Sequence, residues 1–99
     1  MTRLRFEWDE RKNRSNQRKH GVSFEEAAQV FRDPMYVSAQ DRVEDGEERW
    51  QTFGLVDGVL LLMVAHTIEE QSSVEETIRI VSARRATARE RRRYEEENY

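Results

Sequence analysis

The side chains of this 99-residue chain best suited to handling phosphate or moving protons are Arg49, His66, Arg79 and Arg84, with Lys19, Arg85 and Tyr94 as further contacts. Arginine's planar fork pairs with phosphate oxygens and stays charged at any working pH. Histidine changes charge near neutrality, which makes His66 a candidate proton acceptor or donor. Together they fit cleavage of RNA, whose ribose carries its own 2′-OH nucleophile. An enzyme need only orient that hydroxyl, move protons and stabilise a crowded phosphorane. Each residue also has a plainer reading. Arg79 alternates with apolar Ile78 and Ile80 and could simply cover a solvent face. His66 could be a satisfied structural histidine at a strand end. Lys19 could reach a phosphate or solvate its helix, and Tyr94 could stack on a base or pack its helix. His20, one residue before Gly21, reads as a cation favouring a helix C-terminus. Trp8 and Trp50, at alternating strand positions, read as core packing.

Several chemistries lack their motifs. The chain has no glycine-rich phosphate loop, no HExxH, no His/Asp cluster at metal-ligand spacing and no supported Ser–His pair. No metal and no cofactor are expected. Cysteine is absent, which excludes a disulfide framework and suits a reducing cytoplasm. The basic start lacks the apolar core of a signal peptide, and the run Val59 to Ala65 is too short to cross a bilayer. A cytoplasmic location with no membrane partner is expected.

The elements that must position these residues follow from pattern. Leu4, Phe6 and Trp8 alternate with Arg3, Arg5 and Glu7, as in a strand with one buried face. Asp9 offers an N-cap and Gly21 a left-handed C-cap for a very polar helix between them, whose packing face the sequence does not identify. Ser23 and Glu26 form a capping box before an apolar stripe of Phe24, Ala27, Ala28 and Phe31, ended by Asp33-Pro34. Strands are expected over Met35 to Asp41, Arg49 to Val56, Val59 to Thr67 and Thr77 to Ala83. A loop through Asp45-Gly46, a hairpin turn at Asp57-Gly58 and an acidic loop from Glu69 to Glu76 join them. Thr87 and Glu90 are spaced as a second capping box, opening a helix through Tyr94. The sum is a single α+β domain over residues 1–99, with two N-terminal helices and a C-terminal helix on a mostly antiparallel sheet.

Charge is arranged in blocks. The net charge of −3 divides into +4 over residues 1–20, −10 over 21–77 and +3 over 78–99. Two basic ends suggest either a local anion-binding face or solvated helix surfaces.

The chain resembles the BrnT family of type II toxins, relatives of the RelE ribonuclease fold. The resemblance runs through Phe6-Glu7-Trp8-Asp9, Lys19-His20-Gly21-Val22-Ser23-Phe24-Glu25-Glu26-Ala27, Gly46-Glu47-Glu48-Arg49-Trp50 and His66-Thr67. It continues from Ile78 to Thr87 and on through Glu90-Arg91-Arg92 to Tyr94-Glu95. It implies a RelE-like, metal-independent endoribonuclease that stops translation. It also implies a BrnA-type antitoxin that binds the toxin, forms a heterotetramer around an antitoxin dimer and supplies the only contact with DNA. Carried onto this sequence, Arg49, His66, Arg79 and Arg84 become the expected active site; Lys19, Arg85 and Tyr94 are expected, from residue type and place, to contact RNA. One departure stands out: Ile68-Glu69-Glu70 follows His66-Thr67 where similar sequences often carry an arginine. Those carboxylates would repel an RNA backbone, bind a basic antitoxin segment or accept a proton. The competing function is a binding module that holds an antitoxin or RNA without cutting. A DNA-binding regulator is weaker, because no helix presents base-reading side chains.

Overall fold

Along β1 (Arg3–Glu7), Leu4 and Phe6 turn into the core and Arg3, Arg5 and Glu7 turn out, the alternation that the sequence implies. The computed structural model describes residues 2–99. After β1 come α1 (Glu10–His20), α2 (Phe24–Ala28) and a 3-10 turn (Gln29–Arg32). Four strands follow, β2 (Val37–Glu44), β3 (Glu47–Val56), β4 (Leu60–Ser72) and β5 (Glu75–Arg85), then α3 (Ala88–Asn98). The sheet is mixed, in the order β1-β5-β4-β3-β2. β1 runs parallel to β5, and the other neighbours are antiparallel. Among the described residues no helix is long and apolar enough to cross a membrane.

The two faces of the sheet differ. Leu62 and Val64 of β4, with Ile78, Ile80 and Ala83 of β5, pack beneath α2 and its 3-10 extension through Phe24, Ala27 and Val30. The alternate residues Leu61 and Met63, with Phe53 of β3, meet Tyr94 of α3 in a smaller cluster edged by Val37, Leu55, Ala65 and Ala86. The 3-10 turn lies close on β3. A Cβ on Gly54 would sit 2.7 Å from Val30 Cγ1 and 2.9 Å from Val30 O, so a side chain there would push the layers apart.

Helix α1 buries asparagine where an apolar stripe would be usual. Its caps are those expected, Asp9 accepting from Arg11 N–H at 2.8 Å and Gly21 closing it at φ 70°. Asn16 donates to Val22 O and Ala83 O at 2.9 and 2.8 Å, and its Oδ1 accepts from Ala83 N–H at 3.1 Å. β1 pairs with β5 only as far as Arg79, so the Asn16 amide supplies the ladder bonds that no strand reaches. Asn13 similarly accepts from Phe24 N–H and donates to Glu10 and Glu25. Asn16→Ala is expected to lower stability by about 2–3 kcal/mol, because buried backbone groups lose their partner. Urea denaturation measures this, and an unchanged midpoint would mean that water replaces the amide.

The strands outrun the expected boundaries at their outer ends, while β2 starts at Val37 and not Met35, and β4 at Leu60 and not Val59. Asp45-Gly46 is a tight hairpin turn, with both residues at positive φ like Asp57-Gly58, so β2 and β3 continue to it with no loop between. The stretch Glu69 to Glu76 is likewise mostly strand, turning at Ser73-Val74. The Thr87–Glu90 capping box opens α3 as expected, but the helix runs on to Asn98.

Candidate active site

Strand parity gathers two of the arginines. Ile78 and Ile80 point to the helix-covered face, so Arg79 between them points to the open one. On β3, Phe53 belongs to the open-face cluster, which puts Gln51 and Arg49 on the same side. Register pairs Thr67 with Arg79 and His66 with Trp50, so Arg49, one residue before Trp50, flanks Thr67 on its other side. Glu7 pairs with Arg79 from β1, and its Oε1 accepts from Arg79 NH1 at 3.4 Å. A row thus crosses the sheet as Glu7, Arg79, Thr67, Arg49. At about 4.8 Å between strands, the two arginine Cα atoms stand roughly 10 Å apart, within reach of one phosphate or of two successive ones.

Arg84 joins this face through an irregularity. Five positions along a regular strand would turn it away from Arg79, but the register passes from Ala65–Ser82 to His66–Ile80, leaving one extra residue in β5. The bulge restores Arg84 to the open face, where it is already engaged. Its NH1 and NH2 donate to Glu90 Oε1 and Oε2 at 2.8 and 3.0 Å. Glu90 Oε1 also accepts from Thr87 N–H at 2.9 Å, so one carboxylate caps α3 and ties it to β5. The bonds from Arg84 hold the Glu90 carboxyl below its ordinary range despite partial desolvation, and the same pair raises Arg84. Arg49 differs. Among the described residues it makes no ion pair, and its Nε is the one buried side-chain polar atom without a partner.

The structure does not bring His66 to the arginines. It occupies the helix-covered face at 0% exposure, with Phe31 edge-on at 5.1 Å between ring centroids. Nδ1 lies 3.2 Å from Thr67 O, and a carbonyl only accepts, so Nδ1 carries the proton. Nε2 then accepts from Thr52 Oγ1 at 2.6 Å, whose oxygen accepts in turn from Ser38 at 2.7 Å. Burial pushes the imidazole down to about 4, only partly opposed by the Thr67 carbonyl. This is the satisfied structural histidine of the plainer reading.

Tyr94 is also withdrawn. It is 3% exposed, packs on Phe53, Leu61 and Met63, and donates to Asp33 Oδ2 at 2.6 Å. Desolvation and that bond push its phenol up. Burial raises Asp33, but bonds from Leu55 N–H, Tyr94 and Met35 N–H outweigh it and leave the carboxyl lowered. The ring anchors α3 and is not available for stacking. Lys19 and His20 are exposed at the end of α1, lining a small hollow with Val81 and Ser82 apart from the row. Arg85 is exposed at the end of β5, opposite Leu62 in register. Trp8 packs edge-on to Phe24, as core. Sequence reasoning missed Glu7 and Glu90 as neighbours of the arginines. The outward parity of Glu7 was readable, but its pairing with Arg79 was not. Among the described residues no cluster of three His, Asp or Glu is placed to hold a metal.

The class is that of small α+β proteins with one sheet face covered by helices and the other left largely open beside a C-terminal helix. Residues 8–90 match the family model described as the ribonuclease toxin BrnT of type II toxin–antitoxin systems, and the chain belongs to that family. The resemblance read from the sequence is therefore borne out. The fold is similar to the crystal structure of the ribonuclease toxin BrnT of Brucella abortus. That match has a TM-score of 0.57 at 20% identity and covers 86% of this chain and 99% of the other. No curated relative matches. As a toxin of a type II toxin–antitoxin family, the chain implies an antitoxin partner.

Proposed function

We propose that this protein is a RelE-like, metal-independent endoribonuclease that inhibits translation in the cytoplasm and is neutralised by a BrnA-type antitoxin. The expected assembly is a heterotetramer around an antitoxin dimer, with DNA met only through the antitoxin. The row Arg49–Thr67–Arg79 on the open sheet face carries the reading. Two guanidiniums there can grip the scissile phosphate and a neighbour, and stabilise the charge that develops when the ribose 2′-oxygen attacks. The attack yields a 2′,3′-cyclic phosphate and releases the 5′-oxygen, so no metal-bound nucleophile is required. Arg84, clamped by Glu90, contributes field and support for α3.

A second reading, a module that binds RNA or antitoxin without cutting, is favoured by the burial of His66 on the opposite face. One assay separates the two. Purified protein is incubated with total RNA in excess EDTA beside Arg79→Ala. Cleavage by the wild type only, with cyclic phosphate ends, is the expected result. Salt-dependent binding without products at high protein concentration would favour the module. Equal cleavage by both proteins would remove Arg79 from the site.

A further inference from the structure

His66 is buried on the opposite face, and His20 stands at the end of α1 in the hollow with Lys19, Val81 and Ser82. A proton acceptor within the row itself is therefore a carboxylate, and the positions of the carboxylates single one out. Parity and contacts put Glu7, Glu44, Glu47, Glu69, Glu75 and Glu90 on that face, Glu44 and Glu47 paired out at the tip of the β2–β3 hairpin. Glu90 is occupied by both Arg84 nitrogens and by Thr87 N–H. Glu75 sits at 3.7 Å from Arg5, in register with Arg3 at the far end of β1. Glu69 pairs with Thr77, a diagonal step from Arg79 and out along the projecting hairpin. Glu7 alone lies in the row, directly across from Arg79 with its side chain 52% exposed.

Resting on the ribonuclease reading above, we propose that Glu7 is the general base, taking the 2′-OH proton of the nucleotide whose phosphate Arg79 holds. A Glu7 oxygen accepts the hydroxyl proton while the 2′-oxygen forms a bond to phosphorus. The P–O5′ bond breaks, its electron pair stays on the 5′-oxygen, and that oxygen takes a proton from solvent. Glu7 then returns its proton to water. The contact at 3.4 Å is long for a charge-assisted bond, so Arg79 can turn to a phosphate without breaking a tight pair. The same contact keeps the carboxylate beside that phosphate, and an acceptor must be within hydrogen-bond reach of the proton it removes.

The test compares the wild type, Glu7→Gln, Glu7→Ala and Glu69→Gln on a defined oligoribonucleotide in EDTA, with kcat and KM measured separately. Glu7→Gln is expected to lower kcat by roughly 10²–10⁴, the usual contribution of a positioned base, with KM unchanged or lower because a negative charge near the phosphate is gone. Added formate should restore part of the activity to Glu7→Ala and none to Glu7→Gln, where the amide fills the site. Loss of a merely structural contact would raise KM and would not respond to formate. Wild-type kcat in Glu7→Gln, or the whole loss appearing in Glu69→Gln, would overturn the assignment and leave the ribonuclease reading standing. No cleavage by the wild type would overturn that reading and the role of Glu7 with it.

Discussion

Lowering the pH from 7 to 4 is expected to remove roughly 3 kcal/mol of folding stability through His66 alone. In the unfolded chain this imidazole takes its proton near 6.5, whereas in the folded protein burial holds protonation off until about 4. Between those values the unfolded state binds the extra proton, so stability falls as the pH falls and levels off below the folded value. Above 6.5 both states are neutral and His66 contributes no slope. The geometry explains the reluctance. Both ring nitrogens are used by the neutral form, Nδ1 donating to Thr67 O and Nε2 accepting from Thr52. A second proton would set Nε2–H against a hydroxyl whose oxygen must then reverse its bond with Ser38. Asp33 and Glu90, lowered in the fold, lose their contributions further down, as the pH falls through their own folded values. Urea titrations of wild type and His66→Gln at a series of pH values measure the effect. Glutamine offers the same donor and acceptor without titrating, so its stability should be flatter between 6.5 and 4 even if lower throughout. Parallel slopes for the two proteins would remove His66 as the cause.

How much of this was legible in the sequence depended on what burial leaves as a pattern. Leu4 and Phe6 alternated with charges because only one face of β1 meets the core, and the capping boxes at Ser23 and Thr87 depend on local spacing alone. The outer halves of β2, β3, β4 and β5 project past the helices. Both their faces meet solvent there, so Arg42 to Glu48 and Glu69 to Glu76 carry no alternation and read as loops. The packing face of α1 was hidden for another reason. It is made of Asn13 and Asn16, whose amides complete β5 and α2, and polarity scales treat such residues as exposed. The face that His66 takes was hidden because Leu61 to Val64 is apolar on both sides, so the run does not reveal which parity faces the helices. The relation of Arg84 to Arg79 required the bulge at the middle of β5, which leaves no mark in residue types. What the sequence did carry was the pair of strands holding Arg49 and Arg79, and that is where the structure assembles its row.

Arg49→Ala and Arg79→Ala are each expected to slow RNA cleavage by roughly 10²–10³, with little change in melting temperature. Arg84→Ala is expected to act first on stability. The distinction follows from what each guanidinium already touches. Arg49 has no ionic partner among the described residues, and Arg79 has one weak contact, so a phosphate meets donors that are nearly free. Stabilising charge in the transition state requires donors fixed in place before the reaction, and the adjoining strands fix both Cα positions. Neither truncation leaves a tightly paired buried charge behind, so the fold should tolerate them. Arg84 is bidentate on a carboxylate that also caps α3, and a phosphate could engage it only by displacing Glu90. Its loss would leave the half-buried Glu90 without its main partner and loosen the first turn of α3, about 1–2 kcal/mol for a partly exposed pair of good geometry after allowing for solvent screening. Rates on a defined oligoribonucleotide, measured beside thermal melts, separate the effects. An Arg84→Ala protein as stable as the wild type but inactive would mean that Glu90 yields to substrate and that Arg84 is a direct phosphate ligand. A stable, fully active Arg49→Ala would remove Arg49 from the site and leave the phosphate to Arg79 at the Glu7 end of the row. Arg49→Lys should recover little, because one ammonium cannot reproduce a planar fork whose Nε is buried and whose terminal nitrogens are left to grip two oxygens.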